Sequence, residues 1–391
     1  MQIRDNIWES DDFNTIYVEM IRQVYNNGIM TKPRGLECKE VRPAMFNLKN
    51  PRKRVCCVAG RKYNIGFALA EVLWILLGRG DAEFIGYYNK QMLEYFDDKD
   101  IDSHGSYGVR LRHYGSQELG DTEHIYSNHD LDQLKSVYKK LIADPETRQA
   151  VLMIWNPLLD LNKKTKDVPC NSWSHLTIRD NKLNWCQVLR SNDILWGTPY
   201  NVMQFTMLQE VIAGWLSVDV GTYTHFTDSL HCYTSRENEI KTILNYYNAK
   251  HPYDNESIYD SIIPNDARLS YKASKKTINL LGKEEEKWRK GKCDFSYVYV
   301  EKFLKKIFFS GIFWQNFAQV LISYSAFKHG LKDDAIHIAL GITNEFRLSL
   351  LEFYLRKALI EHDENSKSLI LSNVNNETKT YLKDMATLNA K

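Results

Sequence analysis

The chain contains no Cys-x-x-Cys pair, although it holds seven cysteines (Cys38, Cys56, Cys57, Cys170, Cys186, Cys232 and Cys293) in 391 residues. An odd number at irregular spacing argues against a disulfide framework and against a structural zinc site, whose ligands come in closely spaced pairs. Excess charge of one sign is also missing. The net charge is +2, so there is no global footprint for nucleic acid, and an anionic ligand must be met by individually placed arginines. No run approaches the ~18 apolar residues that would suggest a membrane span. The opening stretch MQIRDNIWESDDFN lacks the apolar centre of a secretory leader. These absences predict a reducing, cytoplasmic setting, with no membrane association and no requirement for direct nucleic acid binding. The acids Asp97, Asp98, Asp100 and Asp102 depart from EF-hand spacing and no glutamate closes their loop, so no metal is expected.

What is present is ordinary globular material, 43% hydrophobic and 26% charged, long enough for one large domain plus an appendage. Apolar spacing predicts a helix over 11–26, with Phe13, Ile16, Tyr17, Met20, Ile21 and Val24 on one stripe. Pro33-Arg34-Gly35 marks a loop, in which Arg34 is either a surface arginine or a lid over an anion. The run 67–77 is apolar and of helical length, interrupted by Glu71. Such an acid must be protonated, paired or hydrogen-bonded, so it is either an ion-pair partner or a proton-handling group. A second amphipathic helix is predicted over 131–142, followed by a strand from Arg148 to Trp155.

The alternating segments 173–179 and 183–190 flank Asp180-Asn181 and predict a hairpin with a two-residue turn. Its register sets Asn171 opposite Arg190 and Cys170 opposite Ser191, so a thiol and an arginine meet across the strands. From Asn201 to Leu216 the pattern is that of a core helix, with Asn201 at its cap or in its first turn. Between Arg148 and Tyr233 the chain thus gathers a thiol, two arginines, a carboxylate, an amide and a His/Tyr pair, the groups suited to an anionic, planar substrate. Beyond Asn248 the character changes. Residues 249–292 have weak periodicity, 298–329 and 333–359 read as two helical stretches, and the polar tail from Glu361 is expected to fray. Two units follow: a catalytic domain over 1–248 and a mainly helical extension over 249–391.

Taken in order, these motifs resemble the thymidylate synthase family across Arg34 to Tyr233. The family's Glu-x-x-Trp is similar to Glu71-Val72-Leu73-Trp74, and its Tyr-Gly to Tyr107-Gly108. Pro-Cys falls on Pro169-Cys170, Arg-Ser-x-Asp on Arg190 to Asp193, Gly-x-Pro-x-Asn on Gly197 to Asn201, and His-x-Tyr on His231 to Tyr233. The resemblance implies an α/β (α+β) thymidylate synthase-like fold, a mixed twisted sheet flanked by helices, here with a helical C-terminal extension. It also implies a homodimer, a dUMP substrate and 5,10-methylenetetrahydrofolate as co-substrate. By the same resemblance Cys170 is the nucleophile at pyrimidine C6, held as thiolate by Arg190. Glu71 manages protons around the ring and Tyr107 assists removal of the C5 proton. Arg190, Arg34 and Arg148 (supplied to the second subunit) clamp the phosphate with Ser191, while His231 and Tyr233 hold the sugar. Asp193, Trp74 and Leu93 lie on the folate side. Asn201, whose amide matches the O4 and N3–H of uracil, points to dUMP over dCMP.

The departures from the family carry information as well. Asn171 stands where the synthases have histidine, Gln149 replaces a second arginine, and Leu93 replaces a tryptophan near the folate. The ending Thr387 to Lys391 does not resemble the family's closing tail. A site with a weaker barrier to water favours hydration of a one-carbon intermediate over its reduction. The expected product is therefore 5-hydroxymethyl-dUMP with tetrahydrofolate, as in the viral (phage) deoxyuridylate and deoxycytidylate hydroxymethylases that make modified DNA precursors, with the host cytoplasm as the setting. The alternatives are a divergent thymidylate synthase making dTMP and dihydrofolate, a cytidine-nucleotide hydroxymethylase, and a non-catalytic nucleotide-binding module.

Overall fold

A computed structural model describes residues 6–97, 102–115, 130–249, 268–343 and 345–390. Asp98 and Asp100, two of the acids weighed above as metal ligands, lie outside them. The fold is mixed α/β. Strands β1 (Ile7–Ser10), β4 (Ala44–Leu48), β5 (Val151–Met153), β6 (Asn171–Arg179), β7 (Lys182–Leu189) and β9 (Asp219–Thr227) form one sheet in the order β1-β4-β9-β7-β6-β5. A smaller sheet runs β2 (Ile29–Thr31), β3 (Cys38–Val41), β10 (Leu230–Tyr233), β8 (Asn192–Asp193). Both are mixed, with β1/β4, β7/β9 and β8/β10 parallel.

The hairpin between β6 and β7 turns through Asp180 and Asn181, both with positive φ (51° and 58°), which identifies a type I′ turn whose twist matches the strands. The predicted register holds from Arg179↔Lys182 to Trp173↔Val188 and then breaks. Ser172 is an extra residue: its carbonyl accepts from both Ile154 and Trp155 (3.0 Å each), Asn171 pairs with Leu189, and the Arg190 amide donates to the Cys170 carbonyl at 3.0 Å. Cys170 is therefore opposite Arg190 and not Ser191, because a β-bulge shifts the last rungs by one residue.

Helix α1 (Phe13–Asn27) begins at the Asp12 cap, which accepts from the Asn14 amide, and buries the predicted stripe. Helix α2 (Ile65–Leu76) is capped by Asn64 and buried along its whole length, Glu71 included. After α3 (Ala82–Tyr88), α4 (Tyr107–Arg112), α5 (Gln133–Ala143) and the short α6 (Pro157–Asp160), the long core helix α7 (Thr198–Leu216) lies against α2 and the large sheet. It starts earlier than predicted, with Pro199 in its first turn, so Asn201 is not the cap but a first-turn residue.

Helix α8 (Glu237–Ala249) packs on α1. The segment 249–292, read as weakly periodic, contains helix α9 (Tyr271–Arg289), and the two helical stretches expected further on each divide in two, α10 (Tyr297–Lys306) with α11 (Gly311–Lys328) and α12 (Lys332–Leu340) with α13 (Phe346–Glu361). Nor does the polar tail fray. It forms α14 (Glu364–Ser372) and α15 (Asn376–Ala390), and α15 lies on α13 with Leu382 and Ala386 fully buried. These helices share a continuous core with the first part of the chain: α11 packs on α2, and the Tyr324 hydroxyl donates to the Tyr88 carbonyl at 3.1 Å. No helix of the described residues is long and apolar enough to cross a membrane.

Candidate active site

The bulge fixes the central pair. Arg190 spans the loop before β6, donating from Nε to the Pro169 carbonyl and from Nη2 to the Val168 carbonyl, both at 2.9 Å. Nη2 also lies 3.7 Å from Cys170 Sγ, and Ser191 Oγ donates to the same sulfur at 3.7 Å. Nη1 donates to Ser191 Oγ at 3.1 Å, and the guanidinium stacks over Trp155 with 5.7 Å to the ring centroid. Of its five N–H donors, one on Nη1 is left for an incoming anion. A half-buried thiol under a guanidinium and a hydroxyl suits a sulfur that must carry negative charge.

Glu71 and Asn201 reach the same region from facing helices. Gln204, one turn beyond Asn201 on α7, accepts from Asn201 Nδ2 at 3.2 Å and donates to the Glu71 carboxyl. Burial pushes Glu71 up to about 8, and the Gln204 bond only partly opposes this. Gln204 was not singled out from sequence, yet its i+3 spacing from Asn201 on a predicted helix was a usable signal.

Tyr107 opens α4, and Gly108 lets that helix close on α2. A Cβ at Gly108 would fall 2.6 Å from the Arg79 carbonyl and 2.9 Å from that of Trp74. Burial and the neighbouring Cys170 push the Tyr107 phenol up, with the amide of Asn171 acting in the opposite sense. Asn171 is itself fixed by a buried chain: Gln187 Nε2 donates to its Oδ1 at 2.9 Å, and Gln187 Oε1 accepts from Ser174 Oγ (2.6 Å) and Trp185 Nε1 (3.1 Å). The residue in place of the family histidine is thus held by the sheet.

Pairing of β8 with β10 sets His231 against Asp193. Asp193 Oδ1 accepts the amides of Leu195 (2.8 Å) and Trp196 (2.7 Å), while burial pushes its carboxyl up against the pull of those bonds and of His231. Asn192 is pinned behind it by the buried His225 (2.8 Å). His231 and Tyr233 meet edge to face, 5.4 Å between centroids. Tyr95 was missed by sequence reasoning. Burial pushes its phenol up, with Asp193, Tyr233 and Cys170 adding to the effect, so it stands at the same site. A tyrosine at the end of a polar loop gave no signal of this.

Other predicted residues lie apart. Arg34 is exposed at the tip of the β2–β3 loop. Arg148 is exposed beside β5, its carbonyl accepting from His175 on β6 (3.1 Å), five residues along from Cys170. Leu93 sits in the turn Lys90–Tyr95, 43% exposed, with its methyls against Gly86. Among the described residues Glu71 Oε2, Trp74 Nε1 and His231 Nδ1 are buried with no hydrogen-bond partner, which leaves polar atoms at this site for a polar ligand. Among the described residues no group of three or more His, Cys, Asp or Glu could hold a metal ion.

The thymidylate synthase family model matches residues 15–261. A deoxyuridylate hydroxymethyltransferase of Bacillus phage SP01 is 42% identical over 246 residues, 62% of this chain and 60% of that protein. Another of the same name, from Delftia phage PhiW-14, is 32% identical over 216 residues, 52% of this chain and 56% of the relative. The bifunctional dihydrofolate reductase-thymidylate synthase of Paramecium tetraurelia is 25% identical over 240 residues, 58% of this chain and 51% of the relative. The matches thus span between half and 60% of the length of these curated relatives.

Proposed function

Because the chain belongs to the thymidylate synthase family, we propose that it hydroxymethylates dUMP at C5, releasing 5-hydroxymethyl-dUMP and tetrahydrofolate. In this reading Cys170 adds through sulfur to C6, which turns the uracil ring into an enolate nucleophilic at C5. Arg190 and Ser191 hold the sulfur before attack and the phosphate after binding. Methylenetetrahydrofolate supplies a one-carbon unit at the oxidation level of formaldehyde. Glu71, largely protonated at neutral pH, handles protons at the ring carbonyl through ordered water, with Gln204 orienting its carboxyl and the Asn201 amide. Tyr107 assists removal of the C5 proton: its phenol, pushed up and so still protonated, hydrogen-bonds the water that takes that proton. Once the exocyclic methylene has formed on the pyrimidine, water adds to it and Cys170 leaves from C6. Capture by water needs no hydride, so no dihydrofolate is produced.

Trp74, Asp193 and Leu93 would hold the folate, with His231 and Tyr233 on the sugar. Arg148 and Arg34 would reach the phosphate, Arg148 from the second subunit of a homodimer. The outer face of the large sheet favours that dimer: Val151 and Met153 are 40% and 37% exposed, beside half-buried Trp173, Val188 and Phe226. Leu93 carries the choice of water over hydride. An aliphatic side chain turned onto Gly86 cannot stack over the ring as an indole would. The relatives named deoxyuridylate hydroxymethyltransferase support the same choice.

The test incubates the protein with dUMP and methylenetetrahydrofolate and reads the nucleotide mass together with dihydrofolate absorbance. Hydroxymethyl-dUMP without dihydrofolate is expected. A dTMP mass with stoichiometric dihydrofolate would establish the synthase reading instead. An unchanged nucleotide that has kept its C5 hydrogen would indicate a binding module.

A further inference from the structure

Two loops converge on the reacting groups. One runs from Asp160 to Cys170 and the other from Ser103 to Tyr107, and the structure joins them twice. At the base, Asp160 accepts from Arg110 Nη2 at 2.8 Å and bonds His104 Nε2 at 2.9 Å, while Arg110 Nη2 also donates to the His104 carbonyl at 3.2 Å. Nearer the thiol, Asp167 Oδ2 accepts both the Ser103 hydroxyl at 2.5 Å and the Gly105 amide at 2.9 Å. The contact is closed down to the backbone, for a Cβ at Gly105 would fall 2.6 Å from the Asp167 carbonyl and 2.8 Å from its Oδ1. The Asp167 amide is tied in turn to Thr165 Oγ1 at 3.1 Å.

The far side of the Ser103 loop is anchored as well. Its Ser103 amide donates to the Gly80 carbonyl (2.8 Å) and its Ser106 hydroxyl to the Arg79 carbonyl (2.7 Å), both just past the end of α2. Ser106 also caps α4, accepting the Val109 amide at 3.3 Å. The carboxylate is thus the closing member of a chain from the helix of Glu71, through the residues that launch Tyr107, to a point three residues before Cys170.

We propose that Asp167 is a positioning residue, a carboxylate latch that sets the Tyr107 phenol at working distance from Cys170. The inference rests on the reading of Cys170 as nucleophile and of Tyr107 as the group that assists removal of the C5 proton. The latch acts through two accepted hydrogen bonds, and reacting geometry tolerates little slack: a displacement on the order of 1 Å costs about 100-fold in rate. The phosphate cradle keeps a tether of its own when the latch is lost, because Arg190 still bonds the Val168 and Pro169 carbonyls. Losing the latch should therefore slow proton removal with little effect on nucleotide binding.

The experiment measures tritium release from 5-tritiated dUMP with methylenetetrahydrofolate, and dUMP affinity separately by equilibrium binding. Wild type is compared with Asp167→Ala, Asp167→Asn and Ser103→Ala. Asp167→Ala should release tritium about 30- to 100-fold more slowly, with the dUMP Kd within about threefold of wild type. Asp167→Asn keeps an acceptor oxygen but no ionisable group and should recover to within about fivefold. Ser103→Ala removes one of two donors and should fall in between. Full-rate release by Asp167→Ala overturns the latch. So does an Asp167→Asn variant as slow as the alanine, which would mean that the charge itself is required. If Asp167→Ala does not fold, Asp167→Asn and Ser103→Ala decide, and a Ser103→Ala rate equal to wild type overturns the proposal. A wild-type protein that releases no tritium overturns the underlying reading and the latch with it, whereas wild-type release kept in full by the variants overturns the latch alone.

Discussion

Arg190 Nη2 lies 3.7 Å from Cys170 Sγ while the same guanidinium holds the carbonyls of Val168 and Pro169. The arginine therefore shapes the loop that carries Cys170 before any ligand arrives. Lysine has one nitrogen and cannot span two carbonyls and a sulfur at once. Arg190→Lys should lower kcat/KM for dUMP by about 100-fold, roughly 3 kcal/mol of transition-state stabilisation. Steady-state kinetics check this, and a loss of less than threefold would show that the loop holds its shape unaided.

In the proposed reading Asn201 selects the base through its amide, which Gln204 orients. With Nδ2 donating to Gln204 Oε1, the remaining N–H and the Oδ1 are directed by that bond. Asn201→Asp should reverse the preference, raising kcat/KM for dCMP relative to dUMP by at least about 100-fold. Gln204→Leu breaks the link to Glu71 and should slow both nucleotides alike, leaving their ratio within about threefold. Parallel assays with the two nucleotides separate these outcomes, and an unchanged ratio for Asn201→Asp removes the base-selection argument.

The proposed homodimer makes a prediction of its own. Arg148 is exposed beside β5, on the edge of the sheet whose outer face is half apolar. If each site borrows the partner's arginine, Arg148→Ala and Cys170→Ala are each impaired, yet a refolded equal mixture regains roughly a quarter of wild-type activity. Half the dimers are then mixed and carry one intact site. A mixture no more active than its components would place Arg148 in its own subunit's site or outside both.

Much of this was legible in the sequence, for a physical reason. Turn residues and period-two alternation specify a hairpin locally, so Asp180-Asn181 predicted both the turn and most of the β6–β7 register. The Ser172 bulge was not legible, because an inserted residue leaves the alternation on either side intact and is set by Ile154 and Trp155 bonding to its carbonyl from another strand. The motif residues were found because each belongs to a short pattern. Gln204, Tyr95 and Asp167 belong to none, and their roles come from what the fold brings against them. The tail is a different failure. Its polar composition outweighed a spacing that was in view, with Tyr381, Met385 and Asn389 on one row of α15 and Thr378, Leu382 and Ala386 on the next, all buried.

That tail can be tested through stability. Leu382 is fully buried, and on the same helix the Gly60 amide donates to Asn389 Oδ1 at 2.9 Å, while Asn389 Nδ2 donates to Glu352 at 2.9 Å. Leu382→Ala should destabilise the protein by about 2–5 kcal/mol, the range for truncating a core leucine. Denaturant unfolding reads it directly. A frayed tail predicts a change within about 0.5 kcal/mol.

Glu71 couples stability to pH, and its replacement should move stability and turnover in opposite directions. Its folded carboxyl is pushed up to about 8 by burial, against about 4.3 for an unfolded glutamate. Between those values the folded chain binds the extra proton, so the free energy of unfolding falls as pH rises through this window. The contribution is fully present below the unfolded value and is lost as pH passes the folded one. Glu71→Gln keeps the shape and the bond to Gln204 but cannot ionise, and so lacks this slope. Its melting temperature relative to wild type should therefore climb steadily from pH 5 to pH 9, with a free-energy gain on the order of 4 kcal/mol as an upper limit. Turnover should move the other way, falling by about 100-fold or more at every pH because the proton relay is gone. Melting curves for the two proteins that run parallel across that range would mean that Glu71 is already ionised in the fold, paired in a way that its buried position beside Gln204 does not provide.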